Sequence, residues 1–378
     1  MPYPLEKGDK LRGFHQLRIL QQHYRVCLIT ITTEPLHPEA KKHLTPLCEE
    51  LHVFPISKAS IGWNILHSFF NGKPFQVGYF FNSDVKEKVQ AIISRFKPDV
   101  LYGQLLRTAE YIIDTPNTKR VLDLQDTFSK GIERRHERAF GPMRLVFKME
   151  FNRLVKYERH VVNSFDHCTI ISEQDRQDLP VSDKSKVSIV RNGVDMEYFA
   201  PQESEKSTDV LFAGNMGYPP NVVACEFLAR DVLPILQQSN PKIRITLAGA
   251  TPTPTVKNLA SDNVEVTGWV DDMRNPYART HLFVAPMMIG TGLQNKLLEA
   301  MSMGIPCITS ALANNALGAT PNEHLIIAKS PLEFADAINN LLSNPDQVQQ
   351  IGKAGRKFIQ ENYGWEGQTE PLLKILSI

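Results

Sequence analysis

The sequence lacks the features that mark several large classes of protein. Its five cysteines, at positions 27, 48, 168, 225 and 307, are dispersed and form no C-x-x-C pair, which argues against a disulfide framework or a zinc site. No apolar run approaches the roughly 18–20 residues of a membrane-spanning helix, and the opening MPYPLEKGDK has no signal-peptide core. These absences predict a cytoplasmic protein with reduced thiols.

An excess of charge of either sign is also lacking. The chain has 42 Lys and Arg against 41 Asp and Glu, a formal net charge of +1. Domains that bind nucleic acids are usually strongly basic, so we expect no nucleic acid among the partners. With 378 residues the chain is long enough for two domains or three.

Short apolar strands alternate with helical stretches through both halves of the chain. A polar stretch without periodicity, PQESEKSTD (201–209), separates the halves and is the predicted linker. The alternation predicts an α/β protein of two doubly wound, Rossmann-like domains that face each other, over residues 1–200 and 208–364. The predicted strands are RVCLITIT (25–32), DVLYG (99–103), RVLDLQ (120–125), HCTIIS (167–172) and KVSIV (186–190), then DVLFAG (209–214), RITLAG (244–249), VEVTG (264–268), LFVAP (282–286), PCITS (306–310) and HLIIA (324–328).

Glycines follow several strands of the second half. Gly214, Gly249 and Gly268 each end a strand, and the strand LFVAP leads to Gly290 and Gly292. Turn chemistry accounts for any one of them, because glycine is the default residue where φ is positive. In a parallel sheet, however, ligands collect at the carboxyl ends of strands, where glycines let the backbone approach an anion. As a set, the glycines predict one edge of the sheet that is open to a ligand.

The helix predicted after this loop carries Lys296 and Glu299 on one face. The N–H groups of Gly290 and Gly292 and the positive end of the helix suit an anion. Lys296 adds a full positive charge, and Glu299 could accept two hydrogen bonds from a ribose diol. A nucleoside diphosphate is therefore the best ligand. The alternative is a surface ion pair between the two side chains, which contributes about 0.2–0.5 kcal/mol.

The stretch GTGLQNKLLEAMSMGIPCITS resembles the nucleotide-sugar signature of retaining glycosyltransferases of family 4, or group 1, which have the two-Rossmann GT-B fold. Other stretches agree in order and spacing: PYPLEKGDKLR, VRNGVDMEYFAP, LFAGNMGYPPN, VEVTGWVDD and ENYGW. The resemblance spans essentially the whole chain. It implies that a last helix, over residues 365–378, packs back on the first domain.

The resemblance also implies which residues bind the donor. It implies a retaining, metal-independent transfer from a nucleoside-diphosphate sugar, with no other cofactor, to a glycan or lipid-linked acceptor. The setting it implies is the synthesis of surface polysaccharide or glycoconjugate. The implied contacts are Glu299 with the ribose, Lys296 and the backbone of Gly290, Thr291, Gly292 and Leu293 with the diphosphate, Trp269 and Val270 with the base, and Gly214, Asn215 and Gly8 around the donor.

Three positions depart from the family pattern. Thr291 stands where a glutamate is usual, and it also forms a T-x-x-Q capping-box pattern with Gln294. Asn215 follows Gly214 where an arginine is common. Gln125 precedes Asp126 where His-Asp is frequent. Asp126 is a candidate for the acceptor side, although a capping or turn role is the alternative.

The start of the chain is a further departure. In the family, PYPLEKGDKLR follows the first, central strand of the sheet, and the chain has no residues before it to form that strand. A sheet without this strand would expose two unpaired edges in its middle. We therefore expect either an apolar segment upstream or a first domain that lacks the strand.

Peripheral contact with the inner face of a membrane is compatible with two segments of the first half. The stretch 144–163 is a basic amphipathic helix, which we expect to pack its apolar face on its own domain. The charged stretch ERRHER (133–138) is the better candidate for a lipid diphosphate or a membrane.

Two other functions remain open from the sequence. One is a non-catalytic nucleotide-sugar-binding subunit of the same fold, which Thr291, Asn215 and Gln125 favour. The other is a two-Rossmann sugar-nucleotide epimerase, which would need further acid and base groups. His281 and His324 are poor candidates for these groups, because they lie at the starts of predicted strands.

Overall fold

The structure, a computed structural model, describes residues 1–5, 8–289 and 292–377. The chain forms two compact units, Met1–Arg191 with Thr369–Ile378, and Asn192–Gln368. Among the described residues no helix is both long and apolar enough to span a membrane. Two of the predicted donor contacts, Gly290 and Thr291, lie outside the described residues.

The first unit contains two parallel sheets, which are flanked by helices. The sheets are β1–β2 and β3–β4–β5–β6, and the described residues show no pairing between them. The strands are β1 (Cys27–Thr32), β2 (Glu50–Pro55), β3 (Val100–Gln104), β4 (Lys119–Gln125), β5 (His167–Ile170) and β6 (Val187–Ile189). The helices are α1 (Gly8–Leu20), α2 (Ala40–Leu44), α3 (Lys58–Asn71), α4 (Phe75–Phe80), α5 (Ser83–Phe96), α6 (Phe128–Arg138), α7 (Pro142–Ser164) and α8 (Glu173–Asp178), with 3₁₀ turns at Thr45–Leu47 and Leu106–Tyr111.

Each of the two sheets of the first unit ends in an open edge among the described residues. β1 and β3 are both edge strands, and each has a partner on one side only. β2 was not predicted, because in ELHVFP polar and apolar residues alternate over four positions only and no residue of the strand is fully buried. By contrast β4 is buried from Val121 to Gln125, and Asp123 and Gln125 are buried together with its apolar residues.

The second unit is a single six-stranded parallel sheet with helices on both faces. Its strand order is β12–β11–β10–β7–β8–β9. The strands are β7 (Thr208–Ala213), β8 (Ile245–Ala248), β9 (Val264–Gly268), β10 (Thr280–Ala285), β11 (Cys307–Thr309) and β12 (Ile326–Ile327). The helices are α9 (Pro219–Glu226), α10 (Leu233–Ser239), α11 (Pro254–Lys257), α12 (Arg274–Ala278), α13 (Asn295–Ser302), α14 (Ala311–Leu317), α15 (Pro331–Ser343), α16 (Pro345–Asn362) and α17 (Trp365–Leu376), and a π-helical segment, Phe227–Val232, joins α9 to α10.

The order of strands in the second unit determines where a ligand can bind. The chain runs from β7 to β8 and β9 on one side and then returns to place β10 on the other side of β7. Ligands of open α/β sheets bind in the crevice at such a reversal, outside the carboxyl ends of the strands. Phe212 on β7 and Phe283 on β10 are fully buried beneath this point. The central strands therefore form a packed base for the site.

The last helix, α17, belongs to both units. It begins at Trp365 in the second unit, and from Thr369 its residues are part of the first. There Leu372 is buried in a cluster with Leu20 and Val121. The amphipathic sequence at the end of the chain thus completes a core that begins with α1.

Candidate functional site

Two glycines bring the backbones at the ends of β7 and β8 into close contact. Gly214 has φ +154° and Gly249 has φ +140°, values that side-chain-bearing residues rarely adopt. A Cβ atom on Gly249 would lie 1.9 Å from the carbonyl oxygen of Gly214. Both positions therefore require glycine, and the carboxyl end of the central strand is left without a covering side chain.

Lys296 reaches this point from the first turn of α13. Its Nζ atom donates a hydrogen bond to Oδ1 of Asn221 and lies 3.8 Å from Sδ of Met287, the second residue after β10. It is also 3.2 Å from the position that a Cβ atom of Gly214 would take. The ammonium group is therefore located at the reversal of strand order, between the ends of β7 and β10.

The surroundings of Lys296 lower the pKa of its ammonium group to about 8. Loss of hydration is the main cause, and it outweighs the opposing effects of Cys225 and Glu299. The ammonium lies 4.6 Å from the centre of the Phe212 ring. Among the described residues Lys296 makes no ion pair within 4.0 Å, so the surface ion pair with Glu299 offered as the alternative does not form. A desolvated cation without an anionic partner is a suitable site for an anion.

Glu299 is held by a buried tyrosine. Its Oε2 atom accepts a hydrogen bond of 2.9 Å from the hydroxyl of Tyr277, whose ring is buried and packs edge-to-face on Phe199. Burial raises the pKa of Glu299, while the bond from Tyr277 and the charge of Lys296 act against this rise. Within the described part of the chain, Oε1 has no hydrogen-bond partner. One carboxylate oxygen is thus fixed and the other can accept from a ligand.

Asn221, which the sequence analysis did not single out, connects the two sides of the site. It is buried near the start of α9, and its Nδ2 atom donates to the carbonyl oxygen of Asn215 at 2.8 Å. Its Oδ1 atom accepts from Lys296. Asn221 is the last residue of LFAGNMGYPPN, a stretch that carries the family resemblance, and this was the available signal. The residue type alone does not indicate a hydrogen bond to a lysine 75 positions away.

Asn215 uses its side chain to shape the loop after β7. Its Oδ1 atom accepts hydrogen bonds from the backbone N–H of Gly217 at 2.9 Å and from the hydroxyl of Thr251 at 2.6 Å. Thr251 has φ +52°, an uncommon conformation for a β-branched residue. Strained positions of this kind cluster at functional sites. The loops after β7 and β8 are therefore tied together beside Lys296.

The segment before α13 differs from the predicted capping pattern. The helix begins at Asn295, and its N-cap residue is Gln294, which makes no side-chain capping bond. Instead, Nε2 of Gln294 donates to the carbonyl oxygen of Gly292 at 2.8 Å. A capping box would need Gln294 three residues inside the helix, so that interpretation was wrong. Leu293 packs on the core of the unit, and the surroundings of Gly292 are open.

The residues predicted to contact the base follow β9, the edge strand two places from β7. Trp269 is 60% exposed, and its Nε1 atom donates to Oδ1 of Asp271 at 2.8 Å. Val270 packs against the core. The structure thus presents an indole at the carboxyl end of the sheet, and its contact with a base stays a prediction.

The first unit contains the two predicted residues that lie outside this sheet. Gly8 is exposed at the first position of α1. Asp126 lies directly after β4 with part of its surface exposed. Crowding by neighbouring protein atoms nevertheless removes hydration from its carboxyl group, and this effect, followed by the charges of Asp175 and Asp123, raises its pKa to about 6. The preceding Gln125 is buried with φ +64°. The turn after β4 is therefore strained and carries a carboxyl group that titrates near neutral pH.

Beneath this turn lies a buried ion pair that the sequence analysis did not predict. Nε and Nη2 of Arg12 donate to the two carboxylate oxygens of Asp123 at 2.6 and 3.0 Å, and both side chains are fully buried. The hydroxyl of Thr169 donates to the same carboxylate at 2.7 Å. The pair joins α1 to β4 and fixes the N-terminal helix on the sheet.

One group of described side chains has the composition of a metal site. One ligand atom each from Cys27, Glu50 and His52 lies within 4.8 Å of the others. Glu50, however, already contacts His52 at 2.7 Å and pairs with Arg95. Burial, then the charge of Glu50, raises the pKa of the Cys27 thiol to about 11. A protonated thiol beside a neutralised carboxylate is a poor ligand set.

Comparison with known proteins shows which sequences this chain is similar to. Residues 207–344 match the family model described as glycosyl transferases group 1. A 44.6 kDa protein in the cps region of Klebsiella pneumoniae is 23% identical over 96% of this chain and 94% of its own length. Alpha-maltose-1-phosphate synthase of Mycolicibacterium smegmatis is 26% identical, over 58% of this chain and 64% of that protein.

Solved structures share the fold over nearly the whole chain. Sucrose-phosphate synthase from Thermosynechococcus elongatus has a TM-score of 0.71 at 15% identity and covers 98% of this chain and 92% of its own. HepE of Anabaena, in complex with UDP and glucose, has a TM-score of 0.68 at 13% identity, with 98% and 96% covered. The predicted fold class is therefore confirmed: the chain has the α/β architecture of the GT-B glycosyltransferase structures, with two Rossmann-like domains.

Proposed function

We propose that this protein transfers a sugar from a nucleoside-diphosphate sugar to a glycan or lipid-linked acceptor, with retention of anomeric configuration and without a metal. The observation that carries the proposal is the position of the Lys296 ammonium. It lies at the reversal of strand order, beside a glycine with no side chain, and no carboxylate neutralises it among the described residues. The solved structure of HepE with UDP and glucose supports a donor of this class.

The diphosphate would be the leaving group, and its developing charge needs stabilisation. Lys296 would supply a cation that is already desolvated, so its interaction with phosphate is stronger than in water. The N-terminus of α13, an eight-residue helix, would add the partial positive charge of its unpaired N–H groups. The unpaired Oε1 of Glu299 would accept from the ribose diol while Tyr277 holds the other oxygen. The site would thus hold the donor at two points along α13.

In this proposal, residues of the first unit contact the acceptor. Asp126, with a pKa of about 6, would be largely ionised at neutral pH and could accept a proton or a hydrogen bond from an acceptor hydroxyl.

Exposed apolar side chains on α3 and near the start of α7 support contact with a lipid surface. They are Trp63, Leu66 and Phe70 on the first helix, and Phe140, Met143 and Leu145 near the second.

A lipid surface would also suit the charges near these side chains. Lys148 and Lys156 line a surface recess together with Gly72 and Leu145, so the end of α3 and the basic side of α7 are neighbours. Exposed apolar groups beside cations are typical of proteins that bind anionic membranes. We expect co-sedimentation with anionic vesicles, and weaker binding in the variant Trp63→Ser/Phe70→Ser. Binding to neutral vesicles alone, or no loss in the variant, would contradict this part of the proposal.

The test of the function separates an enzyme from a binding subunit. The protein is incubated with a panel of nucleoside-diphosphate sugars and a lipid-linked acceptor extract, and release of the diphosphate is measured. The proposal predicts release with one donor, and loss of release in Lys296→Met. Donor binding without release would favour the non-catalytic subunit. Conversion of the donor to an epimer, with no release, would favour the epimerase.

A further inference from the structure

Two hydroxyl groups at the end of β11 bind carbonyl oxygens at the end of β10. Oγ1 of Thr309 donates to the carbonyl oxygen of Ala285, and Oγ of Ser310 donates to that of Met287, both at 2.7 Å. The two strands are parallel neighbours, and Ala285 pairs with Thr309. All four residues are buried. These bonds are therefore costly to remove, because a buried carbonyl oxygen that loses its donor is not hydrated in exchange.

The chain leaves β10 through a three-residue turn. The N–H of Met287 donates to the carbonyl oxygen of Ala285 at 2.9 Å, across Pro286. A proline suits the middle of such a turn, because its ring fixes φ near about −65° and no N–H is needed there. The carbonyl oxygen of Ala285 thus accepts two bonds, one of them from Thr309. That of Met287 accepts only from Ser310 among the described residues.

The side chain of Met287 lies against the cation of the candidate site. Its Sδ atom is 3.8 Å from Nζ of Lys296 and is a weak acceptor. Oδ1 of Asn221 is the other acceptor that this ammonium has within the described part of the chain. A thioether and an amide are both uncharged, so they orient the ammonium without neutralising it. The position of Met287 therefore affects where the positive charge lies and leaves that charge available to an anion.

Ser310 has a second bond that fixes its hydroxyl. It is the N-cap residue of α14, and its Oγ atom accepts from the N–H of Ala313 at 3.3 Å. A serine hydroxyl can accept one hydrogen bond while it donates another. The cap orients the hydroxyl so that its proton is directed to the carbonyl oxygen of Met287. One side chain thus ties the start of α14 to the path of the chain after β10.

We propose that Thr309 and Ser310 are positioning residues of the donor site. Their hydroxyls set the path of the chain after β10 and so hold the Met287 thioether against the ammonium of Lys296. Neither hydroxyl would touch the donor. The link to a donor rests on the proposed function, whereas the effect on the ammonium does not. Ser310 should contribute more than Thr309, because the carbonyl oxygen of Ala285 keeps its bond within the turn.

The effect on the ammonium is measured without a donor. The methionine methyl groups are followed by NMR, and the resonance of Met287 is assigned with Met287→Leu. In the wild type this resonance should shift as pH rises through about 8, where Lys296 loses its proton. Lys296→Arg should abolish the shift, because a guanidinium keeps its charge. Cys225 and Glu299, the other titratable groups that act on Lys296, are unchanged in this control.

The variant Ser310→Ala should lose most of this pH-dependent shift, because Met287 is then no longer held beside the ammonium. Ser330→Ala is the matched control. Ser330 caps α15 in the same unit, where its Oγ atom accepts from the N–H of Glu333 at 3.2 Å. Its replacement removes a cap of the same kind, away from the chain after β10, and should leave the shift intact. A full shift in Ser310→Ala, or an equal loss in both variants, would overturn the proposal.

Donor affinity is the second measurement. Calorimetry with UDP and GDP should show roughly tenfold weaker binding in Ser310→Ala, the equivalent of one hydrogen bond. Ser330→Ala should bind as the wild type does. Ser310→Thr keeps a hydroxyl that can both cap and donate, so it should restore the affinity. Wild-type affinity in Ser310→Ala would overturn the proposal.

Two further outcomes are kept distinct. If the wild type binds no nucleoside diphosphate, the proposed function fails, and the methyl titration alone decides whether the hydroxyls position Lys296. If Ser310→Ala does not fold, Thr309→Val replaces it in both measurements, since valine keeps the shape of the side chain and removes the hydroxyl. A full methyl shift together with wild-type affinity in Thr309→Val would then overturn the proposal.

Discussion

Oδ1 of Asn221 accepts a hydrogen bond from Nζ of Lys296, and this bond joins the first turn of α9 to the first turn of α13. Because Nδ2 of the same Asn donates to the carbonyl oxygen of Asn215, one amide holds both the loop after β7 and the cation of the site. The orientation of the Lys296 ammonium therefore depends on the loop after β7.

The first prediction concerns the pH dependence of donor binding. Because the pKa of Lys296 is lowered to about 8, the affinity for UDP or GDP should fall as pH rises above 8, where the ammonium loses its proton. Calorimetric titration between pH 7 and 9.5 measures this. Lys296→Arg is the control, since a guanidinium stays charged and its affinity should be nearly independent of pH. Parallel pH profiles in both proteins would contradict the assignment.

The same lowered pKa has a consequence for stability. Between pH 8 and the ordinary lysine value near 10.5, the unfolded chain binds more protons at this position than the folded chain. The contribution of Lys296 to the free energy of unfolding therefore rises with pH across this window. The free energy of unfolding, measured with urea, should increase more between pH 8 and pH 10 in the wild type than in Lys296→Met.

The second prediction concerns Glu299. Glu299→Ala should weaken nucleotide binding by about 1.5–3 kcal/mol, the range for hydrogen bonds to charged groups. Tyr277→Phe is the matched control, because it removes the hydroxyl bonded to Oε2 but leaves the carboxylate. Its loss of affinity should be smaller, about 1 kcal/mol. If the Glu299→Ala variant folds and binds the nucleotide with unchanged affinity, Glu299 does not contact the donor and the assignment is wrong.

The third prediction tests the close approach of the β7 and β8 backbones. Gly249→Ala should lower the free energy of unfolding by at least about 3 kcal/mol, because its Cβ meets a backbone oxygen and its φ is +140°. Gly367→Ala is the control in the same unit, since a Cβ there meets nothing within 4 Å in a helix. The control should be neutral or stabilising by up to about 1 kcal/mol. Similar effects at both positions would contradict the strained geometry.

The fourth prediction concerns the buried pair of the first unit. Arg12→Met should destabilise the protein by about 3–5 kcal/mol, because Asp123 would be left as an uncompensated buried charge. Adding Asp123→Leu should recover a large part of the loss, since both charges are then absent. Chemical unfolding of the single and double variants measures the difference. A double variant less stable than Arg12→Met would show that the pair has another structural role.

The sequence predicted most of the fold because the signals for buried parallel strands are local. VEVTG, for example, is a strand with the predicted bounds, Val264–Gly268. The strand Glu50–Pro55 was not predicted, because it is only partly buried and its sequence mixes polar and apolar residues. The predicted capping box does not form, because Gln294 bonds to Gly292 and is the N-cap residue of α13 rather than its third residue.

The sequence pointed to candidate residues of the site but not to their hydrogen bonds, and the roles of these residues toward a donor stay predictions. Lys296 and Glu299 lie close in sequence, and their residue types indicated a nucleotide. The bonds of Asn221 and the pairing of Arg12 with Asp123 span 75 and 111 positions. Such partners follow from the tertiary arrangement, and no local pattern encodes them.

The most direct test of the central claim is release of nucleoside diphosphate from a nucleotide sugar in the presence of a lipid-linked acceptor, compared between the wild type and Lys296→Met. The account predicts release by the wild type, with the sugar transferred in its original anomeric configuration, and a rate at least about tenfold lower in the variant, the equivalent of one charge-assisted bond. Equal rates in the two proteins, or no release with any donor that binds, would contradict it.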